Sequence, residues 1–356
     1  MNRALHTPPL RGPGGHVLPT SIAEASFLEL GGVKQWVLIR GQDTANPPLI
    51  FLHGGPGMSE AGFFRFYNAP LEQHFTCVHW DQRGAGKSFD ETIPKASMTI
   101  EQFLADLDGL VDHVRRRVGQ DKVVLLGHSW GSALGVLYAA RFPQKVSVYV
   151  GTGQIGDATK GEAASYAFAL AEAERQGKRK ALEALRAIGA PPYSAEKLWI
   201  ERNCLARLEG GMSPRAMLRM LRMVLGVPES SLLEVPGSFR ALKWSIEAMW
   251  AETSRLNLLE AAPVLKVPVF FFLGRKDHWV PPETSVAYFE MLMAPSKELL
   301  WFEHSGHEPF ADEPARFNAA MIERVLPTAR QAEHQARSPL TPALSPLRSE
   351  RETPAF

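Results

Sequence analysis

Six short apolar runs, each closed by glycine or a turn, are distributed along the chain. Their apolar residues are nearly continuous and do not alternate with polar ones, which is typical of strands covered on both faces by helices. Amphipathic stretches such as residues 99–119 separate several of them. Strands that alternate with helices predict an α/β architecture with a mostly parallel sheet. The runs are PPLIFLHGG, FTCVHWDQRG, KVVLLGHS, VSVYVGTG, VPVFFFLGR and ELLWFEHSG.

Between residues 153 and 255 the pattern changes to consecutive helical periods without a strand-like run. Because this segment interrupts the strand series, we interpret residues 153–255 as a helical cap, with the α/β core in residues 21–152 and 256–330. A separate all-helical domain is the alternative. Residues 1–20 and 331–356 have no apolar period, so both ends are expected to be disordered.

Composition narrows the classes of partner. The 356 residues include 45% hydrophobic and 22% charged side chains, and the formal net charge is +1, so nothing favours nucleic acid or an anionic membrane surface. No run approaches the ~18 apolar residues of a membrane span, and the N-terminus lacks the apolar stretch of a signal peptide. Two isolated cysteines, Cys77 and Cys204, favour a reducing compartment. We therefore expect a cytoplasmic protein without a membrane span.

The segment GHSWGS, residues 127–132, follows the apolar run KVVLL and precedes the helical stretch ALGVLYAARFP. This context fits the G-x-S-x-G turn that joins a strand to a helix and holds a serine above a sheet. Glycines are needed because the crossing strand and helix leave no room for larger side chains. Ser129 is therefore the predicted nucleophile.

A serine hydroxyl needs a general base, and the base needs an orienting acid. Asp277 follows one later strand and His307 follows the next, which gives the chain order Ser, Asp, His expected for this arrangement. His304 is a rival base, but the glycine directly before His307 suits a loop that turns an imidazole toward the serine. His278 and Glu303 are interpreted as local hydrogen-bonding residues.

The loop HGGPG, residues 53–57, ends an early strand. Its small residues let a backbone N–H approach a substrate carbonyl, as an oxyanion hole requires. The predicted donors are the N–H groups of Gly55 and Trp130.

The segment GAGKS, residues 84–88, resembles the end of a phosphate-binding loop. That loop requires G-x-x-x-x-G-K-[ST], and Asp81 stands at the first glycine position. We interpret Asp81 and Arg83 as a structural ion pair or a hydrogen-bonding turn beside the site.

Together these motifs resemble the α/β-hydrolase superfamily and, within it, the proline iminopeptidase family of serine peptidases. The matching segments are LHGGPG, WDQRGAGKS, GHSWGS, GRKDHWVP and HSGHEPF, which lie within a core of about residues 25–325. One departure is His128 in the elbow, where the iminopeptidases commonly carry glycine. The resemblance implies the α/β-hydrolase fold with a helical cap, and removal of an N-terminal residue, often proline, from short peptides.

In iminopeptidases, glutamates of the cap hold the free amino end of the substrate. The resemblance therefore implies a role for cap carboxylates here, and the candidates are Glu201, Glu247 and Glu252. A buried ammonium needs a paired carboxylate, which makes the arrangement physically sensible.

These observations predict a serine hydrolase that uses no cofactor or metal and acts on a short peptide or small molecule. An esterase, lactonase or small-amide hydrolase with the same triad is the alternative, because the triad does not determine the leaving group. A non-catalytic binding protein that has kept the pocket is a third reading. Epoxide hydrolases and dehalogenases use a carboxylate nucleophile, so Ser129 disfavours both. The oligomeric state is left open.

Overall fold

The computed structural model of the protein describes residues 5–210 and 214–337. Eight strands form one central sheet. They are β1 Ile22–Leu30, β2 Val33–Gly41, β3 Pro48–Leu52, β4 Thr76–Trp80, β5 Val123–His128, β6 Val146–Thr152, β7 Val269–Gly274 and β8 Lys297–Phe302. Their order across the sheet is β1-β2-β4-β3-β5-β6-β7-β8.

The sheet is parallel except for β2, which pairs antiparallel with both β1 and β4. The pairs from β3 to β8 are all parallel, so the carboxyl ends of these strands meet at one edge. Ligand crevices of open α/β sheets form at this edge. The predicted α/β architecture is confirmed, and the hairpin β1–β2 is an addition to it.

Helices cover both faces of the sheet. Those of the core are α1 Ala61–Asn68, α2 Ile100–Val118, α3 Trp130–Arg141, α9 Leu258–Ala261, α10 Pro282–Met291, α11 Pro309–Asp312, α12 Pro314–Ala320 and α13 Leu326–Arg337. One buried apolar cluster joins the sheet to α2, α3, α9 and α10, and a second joins the opposite face to α1, α12 and α13. Short 3-10 turns and one π-helical turn, Met321–Val325, connect some of them.

Five helices lie between β6 and β7, where the sequence indicates the cap. They are α4 Ala158–Arg175, α5 Arg179–Ile188, α6 Ala195–Leu208, α7 Pro214–Gly226 and α8 Val235–Thr253. Residues of α4, α5, α6 and α8 share a separate buried apolar cluster. Helix α8 also contacts the loop after β4, where Ser245 Oγ donates a hydrogen bond to the Gly84 carbonyl at 2.8 Å.

The described parts of the two chain ends, residues 5–20 and 331–337, differ from the expectation of disorder over residues 1–20 and 331–356. Residues 5–20 contain a tight turn with an isolated bridge between Arg11 and Val17, and Arg40 donates to the Pro8 carbonyl at 2.7 Å. Helix α13 continues to Arg337. Residues 1–4 and 338–356 lie outside the described residues. Within the described part of the chain, none of the helices is long and apolar enough to cross a membrane.

Candidate active site

Ser129 connects β5 to α3 at the carboxyl edge of the sheet. Its backbone has φ 54° and ψ −121°, a conformation that non-glycine residues rarely adopt and that marks functional turns. A Cβ atom on Gly127 would lie 2.4 Å from the Gly131 carbonyl oxygen, and one on Gly131 would lie 2.0 Å from the Leu52 carbonyl oxygen. The turn can therefore close only with glycines at both positions. The Ser129 side chain is partly exposed.

His307 and Asp277 form a hydrogen-bonded pair at the same edge. His307 Nδ1–H donates to Asp277 Oδ2 at 2.8 Å, and the backbone N–H groups of Trp279 and Val280 donate to Asp277 Oδ1 at 2.9 Å each. The Asp277 side chain is 3% exposed and that of His307 13%. This arrangement favours the imidazole tautomer that carries its proton on Nδ1, which leaves Nε2 free to accept one.

The pair lies beside the serine turn. Ser129 N–H donates to the Thr152 carbonyl at 3.1 Å, and the next residue, Gly153, contacts the His307 ring. The rings of His307 and His128 have centroids 4.6 Å apart. The ends of β5, β6, β7 and β8 thus place the serine turn and the His307–Asp277 pair at the same edge of the sheet, and the triad itself stays a prediction.

Gly153 permits the His307 ring to occupy this position. It has φ +51°, and a Cβ atom would lie 2.8 Å from His307 Cε1. We expect Gly153→Ala to displace the ring and to lower kcat by about 10²-fold, the scale of a 1 Å misplacement. Gly177→Ala is the matched control, because Gly177 has φ +64° with no atom within 4 Å of the added Cβ. Steady-state kinetics and melting temperatures of both variants check this prediction, and equal kcat values would contradict it.

The predicted oxyanion donors lie in loops that contact the serine. A Cβ atom on Gly54 would lie 3.2 Å from Ser129 Cβ, so the HGGPG loop packs directly on the turn. Gly54 N–H donates to Glu60 Oε2 at 2.9 Å. Within the described residues, the N–H groups of Gly55 and Trp130 have no protein acceptor, which leaves them available to a ligand oxygen.

Gln82 connects the two loops that carry these donors. Its side-chain Nε2 donates to the His53 carbonyl at 3.1 Å, its Oε1 accepts the Trp130 indole N–H at 3.0 Å, and its backbone N–H donates to His53 Nε2 at 3.0 Å. The side chain is completely buried. The sequence analysis missed this residue, although it belongs to the WDQRG segment.

A second buried pair, His128 and Glu60, lies beneath the site. His128 Nδ1 is 2.9 Å from both Glu60 oxygens, and its Nε2 is 3.1 Å from the His307 carbonyl oxygen. Burial lowers the pKa of His128, but the charge and hydrogen bond of Glu60 outweigh this effect and raise the pKa to about 9. Burial raises the pKa of Glu60, but the charge and hydrogen bond of His128 together with the hydrogen bond from Gly54 N–H lower it below the ordinary value. The pair is therefore ionised at neutral pH.

Glu201 lies inside the cap with both carboxylate oxygens in contact with neighbours. The Ser165 hydroxyl is 3.0 Å from Oε1, and Arg202 donates to Oε2 at 2.5 Å. The same hydroxyl is 2.7 Å from the His278 carbonyl oxygen, so Glu201 is linked to the loop that carries Asp277. Glu201 has no exposed surface.

The structure puts Glu247 and Glu252 elsewhere on α8. Glu247 is 3.8 Å from Lys243 on the same helix, and its side chain is 43% exposed. Glu252 accepts the Ile100 N–H at 3.0 Å and so satisfies a donor at the start of α2. Substrate binding by either residue stays a prediction.

Two carboxylates close to His307 were not among the sequence-predicted residues. Glu308 directly follows His307 and is half-buried, and burial raises the pKa of its carboxyl. Glu209, just after α6, accepts the Trp279 indole N–H at 2.8 Å. The Trp279 ring stacks on the His307 ring with centroids 6.2 Å apart. The only sequence indication of their role was weak. Trp279 lies two residues after Asp277, and Glu308 directly follows His307.

The residues rejected as base and acid have other neighbours. His304 is exposed, and Glu303 forms a surface ion pair with Arg275 at 2.9 Å. The His278 ring stacks on Phe168 with centroids 3.5 Å apart.

Of the two arrangements expected for Asp81 and Arg83, the structure shows hydrogen bonds within the turn and no ion pair between the two residues. Arg83 is bound by Asp106 of α2, with Nε–Oδ2 and Nη2–Oδ1 distances of 2.8 and 3.0 Å. Asp81 accepts from the Ser59 hydroxyl and from the Lys87 N–H. The reason is geometric: Asp81 faces the HGGPG side of its loop, whereas Arg83 reaches α2. Both side chains are buried, as a structural role requires.

Within residues 5–210 and 214–337, no group of three or more His, Cys, Asp or Glu side chains is arranged to hold a metal ion.

Comparison with known proteins gives one family and several relatives. The family model of the alpha/beta hydrolase fold matches residues 47–314. The probable aminopeptidase YbaC of Bacillus subtilis is 36% identical over 301 residues, which cover 83% of this chain and 94% of that protein. The proline iminopeptidase of Clostridioides difficile is 33% identical over 128 residues, which cover 35% of this chain and 41% of that protein.

Solved structures resemble the fold at lower identity. The proline iminopeptidase-related protein of Thermus thermophilus has a TM-score of 0.63 at 19% identity and covers 88% of this chain and 99% of that one. An epoxide hydrolase of Bacillus megaterium has a TM-score of 0.54 at 19% identity, with coverages of 84% and 99%. At these identities the likeness concerns the fold alone, and the second example shows that the fold supports different reactions.

Proposed function

Because the chain belongs to the α/β-hydrolase fold family and is proline iminopeptidase-like within it, we propose that it is a serine aminopeptidase that releases the N-terminal residue, proline or a small apolar one, from short peptides. The observation that carries the proposal is the strained turn at Ser129 beside the His307–Asp277 pair. The similarity to a probable aminopeptidase over 83% of the chain supports the choice of an amide substrate.

In the proposed reaction, Ser129 Oγ attacks the carbonyl carbon of the N-terminal residue while its proton passes to His307 Nε2. The carbonyl oxygen becomes an oxyanion that accepts hydrogen bonds from the backbone N–H groups of Gly55 and Trp130. Each donor of this kind typically contributes about 10²- to 10³-fold to kcat. Asp277 holds the imidazole in the required tautomer and stabilises the imidazolium.

Collapse of the tetrahedral intermediate then breaks the C–N bond. His307 returns the proton to the leaving amine, which departs as the shortened peptide, and the N-terminal residue remains as an ester on Ser129. A water molecule, deprotonated by His307, hydrolyses this ester and restores the serine hydroxyl.

An aminopeptidase must also recognise the free α-ammonium group. We assign this role to Glu308 and Glu209 and not to Glu247 or Glu252, which lie in other contacts. Glu308 adjoins His307 in sequence, and Glu209 is held by the Trp279 ring that stacks on His307. A desolvated ammonium needs a carboxylate partner, and both carboxyl groups interact electrostatically with His307.

Hydrolysis of matched substrates tests the proposed function. We expect L-proline and L-alanine arylamides to be cleaved and the N-acetylated proline arylamide to be resistant, because acetylation removes the ammonium charge. Glu308→Gln and Glu209→Gln should raise KM for the free-amine substrates by about tenfold each, the scale of one charge-assisted hydrogen bond.

A short-chain aryl ester provides the comparison for both variants, since it has no ammonium group and its turnover should not change. Glu183→Gln is the control, because Glu183 of α5 has a side chain 70% exposed in a distant part of the cap. Cleavage of the ester alone would exclude the proposed peptidase activity and indicate an esterase with the same fold and triad.

A further inference from the structure

We propose that His128 and Glu60 form a positioning pair that fixes the oxyanion loop and the His307 loop to the serine turn. The proposal rests on the proposed use of Ser129 and His307 in catalysis, and it assigns a role to two buried charged residues that do not touch the substrate.

The first connection is to the oxyanion loop. Glu60 Oε2 accepts the Gly54 N–H at 2.9 Å, and the same carboxylate lies 2.9 Å from His128 Nδ1. Gly54 immediately precedes the proposed donor Gly55. His128 is the last residue of β5 and directly precedes Ser129. The Glu60 carboxylate therefore fixes the position of the HGGPG loop relative to the serine turn.

The second connection is to the loop of the base. His128 Nε2 lies 3.1 Å from the His307 carbonyl oxygen, which can only accept a hydrogen bond. Both ring nitrogens of His128 thus face acceptors, a carboxylate on one side and a carbonyl on the other. Both nitrogens must carry protons to satisfy these contacts, so the residue is an imidazolium paired with a carboxylate.

The burial of the pair argues for a positional role. His128 is 2% exposed and Glu60 6%, and buried ion pairs often add little to stability because desolvation offsets their attraction. Their hydrogen bonds instead fix the orientation of the partners. Here the chain of contacts runs from Gly54 through Glu60 and His128 to His307, and it spans both loops that must converge on Ser129.

Substitutions that keep or remove the hydrogen bonds test the pair. Glu60→Ala removes both contacts of the carboxylate and should lower kcat about 10- to 10²-fold with KM within about twofold. Glu60→Gln should keep kcat within about threefold, because its oxygen can accept the Gly54 N–H and its amide can donate to a neutral His128 Nδ1. His128→Phe keeps the ring packing against Phe310 but removes both donors, and it should behave like Glu60→Ala.

Glu72→Gln is the control for loss of a buried carboxylate. Glu72 is bound by Arg40 at 3.1 Å and lies just before β4, at the opposite edge of the sheet from Ser129. We expect it to lower the melting temperature and to leave kcat unchanged. Each variant is assayed on L-alanine arylamide well below its own melting temperature, and the rate constant for labelling by a fluorophosphonate probe is measured in parallel.

The two readouts separate this proposal from the proposed function. If the wild type cleaves no arylamide, the peptidase proposal fails, while the labelling rates still compare the variants. Slow labelling by Glu60→Ala and His128→Phe, with near-normal labelling by Glu60→Gln, supports the pair. Normal kcat and labelling in Glu60→Ala, or losses that simply follow the melting temperature across all four variants, would overturn it.

Discussion

Ser129→Ala is expected to lower turnover by about 10⁴- to 10⁶-fold while the protein stays folded, because the substitution removes the attacking atom and nothing else. The alanine keeps the Cβ atom, so the strained backbone at φ 54° is unchanged. Within the described residues the hydroxyl of Ser129 has no protein hydrogen bond to lose, and it is partly exposed. The melting temperature should therefore shift by only a few degrees.

Ser132→Ala, in the first turn of the same helix, should give the opposite result. Ser132 Oγ donates to the Ser129 carbonyl at 2.6 Å and accepts the Ile155 N–H at 3.0 Å. The Ser129 carbonyl keeps the Ser132 N–H at 2.9 Å in the variant, but the Ile155 N–H loses this acceptor, at a cost of about 1–3 kcal/mol. We expect a lower melting temperature with turnover within about tenfold of the wild type. Calorimetry and turnover of the two variants together check the assignment, and near-normal turnover of Ser129→Ala would refute it.

Asp277→Asn is expected to lower kcat by about 10⁴-fold with little change in stability. Asp277 Oδ1 accepts two backbone N–H groups, from Trp279 and Val280. In the variant the amide oxygen must occupy that position, which turns the NH₂ group toward His307 Nδ1. His307 would then have to accept at Nδ1 and carry its proton on Nε2, the tautomer that cannot take a proton from serine.

Steady-state kinetics at neutral pH measure kcat of the variant, and its melting temperature shows whether the fold is retained. Asp277→Ala is the companion variant, since it imposes no tautomer but leaves the two N–H donors without an acceptor. It should be less stable than Asp277→Asn. If Asp277→Asn retained turnover within about tenfold of the wild type, the carboxylate would not be the orienting acid.

Local sequence was sufficient for the parts of the fold whose residues are adjacent in the chain. The glycines around Ser129 predict a tight strand-to-helix turn because the crossing backbones exclude larger side chains, and continuous apolar runs predict β3–β8. The hairpin β1–β2 was missed because β1 is only partly buried along its length and shows no continuous apolar run. Helices α4–α8 lie between β6 and β7, but their packing depends on contacts that no local pattern encodes.

Contacts between distant residues account for most of what the sequence analysis missed about the site. Glu60 and His128 are 68 positions apart, and no sequence motif around either residue predicts that they pair. An ion pair between Asp81 and Arg83 was one of two expected arrangements because the residues are close in sequence, yet Arg83 is bound by Asp106 of α2, 23 positions further along the chain. The cap candidates Glu201, Glu247 and Glu252 were chosen by residue type, and their binding of substrate stays a prediction.

Covalent labelling of the wild-type protein tests the central claim, that Ser129 is the activated nucleophile, most directly. The protein is treated with a fluorophosphonate, digested and analysed by mass spectrometry, and a denatured sample serves as the control. We predict one phosphonyl group per chain on Ser129, absent from the denatured sample and from Ser129→Ala, and much slower in Asp277→Asn. An unlabelled native protein, or a label on any other residue, would contradict the claim.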